Sequence, residues 1–364
     1  MPEPSPKRPA AWIHSIATAV PEPVVTEETV LAYLGPWLKG SAELEGFVRD
    51  LIGAQKVERR HMAFTPEELL ADHGLEWMNR EYARRLVPLA ETASREALAK
   101  AGLLPTDVDL VLSTSCTGFM IPPLDAHLAN RMGMRGDLKR LPITELGCAG
   151  GAAAVARAAD LIAGNPDLTI LCISAELPSA TFQARDLSRS NLVASLLFGD
   201  GVAAFVMSGR EPRRRHPSGH PRVLASRSAL FPDSMGLMGF DLKASGFHLI
   251  LSPRIPAVVK REVRPVVDAL LGASGASRAD LSFFVLHPGG RKVLECLEET
   301  LEVSRAQAAS SWRTLADYGN LSSAMVIFIL RDLWESGPPP AGARGLLAAF
   351  GPGFGAEVSL LGWQ

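Results

Sequence analysis

The sequence has little net charge and no long apolar run. Over 364 residues the formal net charge is −2 and charged residues make up 21%, so the composition favours neither nucleic acid nor an anionic membrane as a partner. No segment approaches the ~18 uninterrupted apolar residues of a membrane helix, and the apolar stretch LVASLLFGDGVAAFVM contains Asp200. Residues 1–11 lack the apolar core of a signal peptide. We therefore predict a cytoplasmic protein with a disordered lead-in at 1–11.

Cysteines are few and form no recognisable framework. The four occur in no CxxC pair, so the sequence signals neither disulfides nor a zinc site; they are Cys116, Cys148, Cys172 and Cys296. His216 and His220 have the i,i+4 spacing of metal ligands, but Pro217 and Gly219 lie between them and would break the helix that such a pair needs. We predict no metal and no cofactor.

The chain is instead rich in alternating helices and buried strands. Amphipathic segments at 89–102 and 257–272 each lead through a polar turn into an apolar strand, at 107–116 and 279–290 respectively. This alternation is typical of a layered α/β fold.

The two stretches continue in parallel, which indicates an internal duplication. Cys116 and His287 end the two strands; Cys148 follows the first by 32 positions and Asn320 follows the second by 33. Cys148 and Asn320 each come after a glycine and open a helix of small and apolar residues. Self-similarity of this kind is the signature of a repeated unit. If the halves pack about a pseudo-twofold axis, Cys148, His287 and Asn320 meet at the centre.

The boundary between the halves falls in a segment rich in proline, glycine and arginine. We predict an N-terminal half at 12–210, a linker at 211–222 and a C-terminal half at 223–364.

Cys148 is the candidate nucleophile. It lies between Gly147 and Ala149-Gly150-Gly151 at the start of a helix, where the helix dipole lowers a thiol pKa. The glycines leave room for a thioester to reach the sulfur. Cys172, in mid-strand, and Cys296, in a helix, are interpreted as structural.

His287 and Asn320 are the candidate partners. An imidazolium beside Cys148 would hold the thiolate as an ion pair. Asn320 can be interpreted as a helix N-cap, or as an amide donor aimed at an enolate oxygen.

From about residue 12 onward the chain resembles the type III polyketide synthases, the chalcone-synthase-like family. The motifs that carry the resemblance are GCAGG at 147–151, LFGDG at 197–201, HPGG at 287–290, YGNLSSA at 318–324 and FGPGFG at 350–355. The resemblance implies a thiolase-like fold with αβαβα layers and two pseudo-duplicated halves.

The resemblance also implies a reaction. A starter acyl-CoA acylates Cys148, and malonyl-CoA is decarboxylated while His287 and Asn320 stabilise the enolate. The carbanion then attacks the cysteine-bound acyl group. After repeated rounds the chain cyclises to a pyrone, a resorcinol or a related polyketide. The CoA thioesters are substrates, and no cofactor is implied. Phe198 matches an aromatic gatekeeper between the CoA tunnel and the cavity, and Phe247 matches a second one.

Further positions match the family's substrate-binding residues. They are Cys116, Thr117, Ile121, Thr181, Gly246, Phe247, Gly289, Gly290, Ser322 and Pro352. Ile121 matches a residue that crosses the dimer interface, which implies a homodimer. Gly246, Pro178 and Cys116 depart from the plant pattern and suit a bacterial-type enzyme with room for an aliphatic starter.

The residues that would bind the CoA phosphates match the family less well. Ala54 stands where the plant enzymes carry a lysine, and Lys56, Arg59 and Arg60 are nearby substitutes. A solvated basic stretch is the alternative interpretation.

Three other functions are compatible with the Cys, His and Asn residues. The first is an initiating ketoacyl synthase of fatty-acid synthesis, which takes malonyl from a carrier protein. The second is a thiol hydrolase in which the asparagine orients the histidine. The third is a non-catalytic protein that binds acyl-CoA.

Overall fold

The computed structural model describes residues 10–71 and 73–364. The strands over these ranges are β1 Ala11–Ala19, β2 Val24–Thr26, β3 Arg59–His61, β4 Leu110–Ser115, β5 Lys139–Thr144, β6 Thr169–Glu176, β7 Gly201–Ser208, β8 Pro221–Leu230, β9 Met238–Lys243, β10 Gly246–Leu251, β11 Leu281–Leu286, β12 Arg344–Gly351 and β13 Gly355–Trp363. The helices are α1 Glu27–Leu38, α2 Ala42–Gln55, α3 Pro66–Leu70, α4 Leu75–Ala101, α5 Leu124–Met132, α6 Gly150–Gly164, α7 Arg189–Leu197, α8 Ile255–Ala273, α9 Arg291–Leu301, α10 Ala309–Tyr318 and α11 Met325–Ser336. Short 3-10 turns at Gly147–Ala149 and Ser322–Ala324 precede α6 and α11.

The predicted lead-in at 1–11 lies outside the described residues except for its last two positions. Ala11 already belongs to β1, where it pairs with Val223 of β8. The ordered chain therefore starts at least one residue earlier than predicted, because this alanine is held in the sheet.

Nine strands form one sheet in the order β11-β12-β13-β8-β1-β7-β6-β4-β5. Outward from β1 the strands are β7, β6 and β4; outward from β8 they are β13, β12 and β11. In each direction the first two pairings are antiparallel and the third is parallel. The halves therefore share one topology, which confirms the predicted duplication, and β5 is an additional edge strand of the first half.

The helices complete a layered architecture around this sheet. β1 and β8 pair only at Ala11↔Val223 and Trp12↔Arg222, so the two half-sheets meet along a short seam. α6 packs against β4 and β6 of one half and against β8 and β13 of the other, and α11 packs beside it. α4 covers the first half-sheet from outside, and α8 with α9 covers the second. The order is αβαβα, as predicted.

The sequences of the helices explain their layers. In α6, with the sequence GGAAAVARAADLIAG, every residue from 150 to 156 is buried, and a helix that is apolar on all sides belongs inside a fold. Its small side chains let both half-sheets approach. α8 has one apolar stripe at helical spacing, as an outer helix requires; its buried residues include Val259, Val263, Val267 and Leu270.

The connection between the halves runs from Ser208, the end of β7, to Pro221, the start of β8. The predicted linker at 211–222 overlaps β8 by two residues, because Pro221 and Arg222 pair with β13. In the part of the chain that the structure describes, none of the helices combines the length and the hydropathy needed to cross a membrane.

Candidate active site

Cys148 lies in the 3-10 turn that leads from β5 into α6, and its side chain is buried. Gly147 before it has φ +51°, a left-handed conformation that glycine adopts without strain. A Cβ at this position would lie 2.5 Å from Cδ of Pro352. Gly151 packs so closely that a Cβ there would overlap the carbonyl oxygen of Ser323. These glycines let loops from the two halves meet at the cysteine.

Asn320 reaches the cysteine from the second half. Residues Phe198 and Asn320 form an isolated parallel bridge, and the Asn320 backbone N–H donates to the carbonyl of Leu197 at 2.8 Å. The side-chain oxygen accepts the backbone N–H of Ser322 at 2.8 Å, and Nδ2 lies 4.0 Å from the Sγ of Cys148. The amide oxygen thus satisfies a backbone donor and its nitrogen faces the thiol, while the N-cap of the following 3-10 turn is Leu321.

His287 is brought toward the cysteine through the neighbouring strand β12. It follows β11, and its backbone N–H donates to the carbonyl of Ala348 in β12 at 2.9 Å. β12 ends at Gly351, which packs against the carbonyl of Leu146, two residues before the cysteine. The imidazole is buried, and neither ring nitrogen has a hydrogen-bond partner among the described residues. Buried polar groups without a partner are rare, so this ring is unusual in having both nitrogens free to form hydrogen bonds.

Burial sets the protonation of these two groups. It raises the pKa of the Cys148 thiol to about 12, against the opposing effects of hydrogen bonds with Ser322 and Asn320. It lowers the pKa of the His287 imidazole to about 3. Burial therefore opposes the predicted thiolate–imidazolium ion pair in the unliganded protein, because loss of solvation favours a neutral thiol and a neutral ring. The ion pair stays a prediction.

A buried carboxylate beside the cysteine was missed in the sequence. Glu176, the last residue of β6, is fully buried, and burial raises its pKa. It accepts hydrogen bonds from Thr117 Oγ1 at 2.8 Å, from the backbone N–H of Cys116 at 3.1 Å and from Ser323 Oγ at 2.5 Å. Its position at the end of the apolar run TILCISA was the available signal, since a charged residue that ends a buried strand must find partners.

A cavity of about 350 Å³ opens beside the sulfur. Eight predicted residues line it, together with aromatic and aliphatic side chains from β9 and β10; the eight are Cys116, Thr117, Cys148, Thr181, Phe198, Phe247, Ser322 and Pro352. This volume suits an organic molecule of moderate size.

Other predicted substrate-binding residues lie outside this wall, as do His287 and Asn320; they are Ile121, Gly246, Gly289 and Gly290. Gly246 is buried with φ +133°, and a Cβ there would lie 2.6 Å from Nε2 of Gln183. Glycine is required here by this positive φ rather than by the cavity, because the end of the Gln183 side chain could move aside. Ile121 is exposed to solvent over 96% of its surface.

The predicted phosphate-binding residues divide in two. Lys56 and Arg59 are exposed, and Arg59 forms an ion pair of 2.7 Å with Asp317. Arg60 is buried and donates to the carbonyl of Phe198 at 3.2 Å, and burial lowers its pKa to about 10. The prediction for Arg60 is therefore wrong, both as a phosphate ligand and as a solvated residue, because its guanidinium holds the loop that carries Phe198.

Two family models match the chain. The N-terminal domain of chalcone and stilbene synthases matches residues 5–212, and the C-terminal domain of the same family matches residues 222–362.

Similar proteins extend along most of the chain. A 1,3,6,8-tetrahydroxynaphthalene synthase of Streptomyces peucetius subsp. caesius is 43% identical over 87% of this chain and 83% of its own length. The synthase of the same name from Streptomyces coelicolor is 38% identical over 96% of this chain and 91% of its own length. A crystal structure of the Streptomyces coelicolor A3(2) protein, a bacterial type III polyketide synthase, superposes with a TM-score of 0.91 at 37% identity and covers 97% of this chain and 99% of that one.

The layered fold and these matches define an acyltransferase of the thiolase-like class, and the chain belongs to the chalcone and stilbene synthase family. It is a type III polyketide synthase, an enzyme of decarboxylative Claisen condensation. The matches give no support to a ketoacyl synthase, a thiol hydrolase or a non-catalytic binding protein.

Proposed function

We propose that Cys148 is the nucleophile that carries the growing polyketide, and that His287 and Asn320 are its catalytic partners. One observation carries the proposal: a buried thiol faces an amide nitrogen at 4.0 Å, and an imidazole with both nitrogens unpartnered among the described residues is bonded to β12, the strand whose end packs against the cysteine turn.

Acylation begins from neutral groups. As the sulfur of Cys148 attacks the starter thioester, its proton passes to the imidazole of His287, which returns it to the departing CoA thiolate. The thiol is poorly acidic in the resting site, with a pKa of about 12, so proton transfer accompanies attack rather than preceding it.

Decarboxylation of malonyl-CoA follows in the same place. Loss of carbon dioxide leaves an enolate whose oxygen accepts hydrogen bonds from the neutral imidazole and from the amide nitrogen of Asn320. The enolate carbon attacks the acyl group on Cys148, and the extended chain is transferred back to the sulfur. Every step uses CoA thioesters as substrates and needs no further cofactor.

Phe198 is the aromatic wall between the cavity and the CoA approach. It lines the cavity and forms the parallel bridge to Asn320, so its backbone is held beside that of Asn320. Lys56 and Arg59, both exposed, are the remaining candidates for the CoA phosphates.

We infer the class of product from the names of the relatives. The name tetrahydroxynaphthalene describes a fused aromatic bicycle whose ring carbons number ten, as many as five two-carbon units supply. We assign this chain a product of the same class, a chain assembled from malonyl units and closed into fused rings within the cavity of about 350 Å³.

The active form is a homodimer. β5 is an edge strand that is largely exposed, and unprotected edges are normally covered. Ile121, with 96% of its surface exposed, is the residue that we propose reaches into the cavity of the partner. Light scattering of the purified protein tests this: a monomer at catalytic concentration contradicts it. The cytoplasmic location stays a prediction.

The experiment that tests the function is incubation with labelled malonyl-CoA, alone and with acyl-CoA starters from short to long. We expect carbon dioxide release, free CoA and cyclised products by mass spectrometry. Complete dependence on an acyl carrier protein, or release of free acid without carbon–carbon bond formation, contradicts the proposal.

A further inference from the structure

One carboxylate in the cavity wall has no place in the condensation chemistry. Glu145 follows β5 directly and precedes the turn that holds Cys148. Its backbone has φ +59°, a left-handed conformation that residues other than glycine seldom adopt. Strained positions of this kind cluster at functional sites, and this one lies directly after the edge strand, in the cavity wall.

Glu145 lines the cavity beside Cys148. Of the residues that the structure describes, it is the one carboxylate in that wall, and it has neither a hydrogen-bond nor an ion-pair partner for its side chain. The side chain is exposed in the single chain, at one end of a chamber whose wall is mostly apolar.

Glu145 differs in this respect from the buried carboxylate behind the wall. Glu176 is saturated by donors from Thr117, Cys116 and Ser323 and does not line the cavity. The other ionisable groups in the wall are the thiols of Cys116 and Cys148, and burial raises the pKa of both. Among the described residues of the wall, a carboxylate free to accept a proton is therefore found at one position; His287, the proton acceptor in acylation, lies outside that wall.

We propose that Glu145 is the acid–base residue for ring closure of the enzyme-bound polyketide, a role that rests on the proposed polyketide synthase function. Its carboxylate removes a proton from a methylene group that lies between two carbonyls. The resulting carbanion forms a carbon–carbon bond to a ketone carbonyl farther along the same chain. The carboxylic acid then returns the proton to the new alkoxide, and loss of water makes the ring aromatic. The sequence is redox-neutral and consumes no co-reactant.

This role predicts a separation between condensation and cyclisation. Without the carboxylate, the chain still grows on Cys148, but its enol oxygen attacks the terminal thioester and forms a lactone without a new carbon–carbon bond. Such lactone closure needs little help, because an enol is already acidic and nucleophilic.

The test compares Glu145→Gln, which removes the charge at constant size, with Glu145→Asp, which keeps a carboxylate. Glu58→Gln, an exposed glutamate outside the cavity wall, is the matched control. Malonyl-CoA is supplied to the full-length enzyme, and carbon dioxide, free CoA and the ratio of aromatic to lactone products are measured together, with melting temperature as a check on folding.

We expect Glu145→Gln to release carbon dioxide within about twofold of the wild type while the aromatic-to-lactone ratio falls at least about tenfold. Glu145→Asp should recover part of that ratio, and Glu58→Gln should leave it unchanged. An unchanged ratio in Glu145→Gln, or an equal loss of carbon dioxide release and aromatic product, overturns the role. If the wild type releases no carbon dioxide from malonyl-CoA, the proposed function itself has failed, and the inference fails with it.

Discussion

The two halves of the molecule have the same strand topology but different chemistry at equivalent positions. After β4 comes Cys116, and after the equivalent β11 comes His287. Cys116 is fully engaged: its backbone N–H donates to Glu176 at 3.1 Å and its Sγ lies 3.5 Å from Ser322 Oγ. His287 has no partner for either ring nitrogen among the described residues.

This contrast teaches which groups serve the fold and which serve a substrate. A polar group that is buried and satisfied stabilises its surroundings, whereas one that is buried and unsatisfied costs stability unless a ligand completes it. The first half supplies the nucleophile and a hydrogen-bonded support, and the second half supplies free donors. Duplication gave two similar loops, and divergence of their side chains made one site from both.

The largest expected effect comes from removing the nucleophile that the first half contributes. Cys148→Ala should reduce condensation product by on the order of 10⁴-fold or more, since loss of a nucleophile removes the covalent route. The protein should elute and melt like the wild type. Cys172→Ala is the matched control, because Cys172 lies in mid-β6 outside the cavity wall, and it should keep its activity. Product formation within about tenfold of the wild type in Cys148→Ala would refute the nucleophile assignment.

At Asn320, the catalytic contribution of the second half can be separated from its structural contribution. Asn320→Ala should lower kcat by about 10²–10³-fold, the usual cost of losing an oxyanion donor, but should cost only ~1 kcal/mol of stability for the lost cap. Asn320→Asp keeps an oxygen for the Ser322 N–H and lacks the amide donor, so it should be as stable as the wild type and nearly as inactive as the alanine variant. Steady-state kinetics measure the loss of activity, and urea unfolding measures the loss of stability. If Asn320→Ala lost activity only in proportion to its stability, the side chain would serve as a cap and not as a catalytic donor.

The sequence predicted the duplication because strand–helix order and glycine-flanked motifs are local features. The roles of Cys148, His287 and Asn320 stay predictions. The sequence did not predict the surroundings of individual side chains. Arg60 reads as part of a basic surface stretch, yet it is buried against the carbonyl of Phe198, 138 positions away. Likewise the thiol of Cys148 reads as acidic from its helix start, and burial reverses the direction of its pKa shift. Both outcomes depend on segments that meet only in the folded chain.

Two glycines of α6 test how closely the two halves pack at their seam. Gly151→Ala, at the start of α6, should cost about 1–3 kcal/mol, because its Cβ would overlap the carbonyl oxygen of Ser323 in the other half. Gly164→Ala, at the end of the same helix, meets nothing within 4 Å and should be neutral or gain up to about 1 kcal/mol. Urea unfolding at one fixed protein concentration measures both. Equal stabilities for the two variants would contradict the close seam.

The smallest effect concerns acid stability and the unpartnered imidazole. His287 has a pKa of about 3 in the folded protein against an ordinary value of 6.5. Below about pH 6.5 this histidine therefore binds a proton in the unfolded chain but not in the folded chain. Its contribution to stability is therefore complete above pH 6.5 and falls as the pH drops towards 3, by about 1.4 kcal/mol per pH unit. His287→Gln cannot titrate, so between pH 6.5 and 5 the wild type should lose up to about 2 kcal/mol more stability than the variant.

His14 in the first half, with its pKa lowered to about 4 by burial, provides the comparison: His14→Gln should reduce acid sensitivity in the same direction. If the wild type and His287→Gln lost stability in parallel over this range, the imidazole would be solvated or paired in the folded protein, and the contrast with Cys116 would disappear.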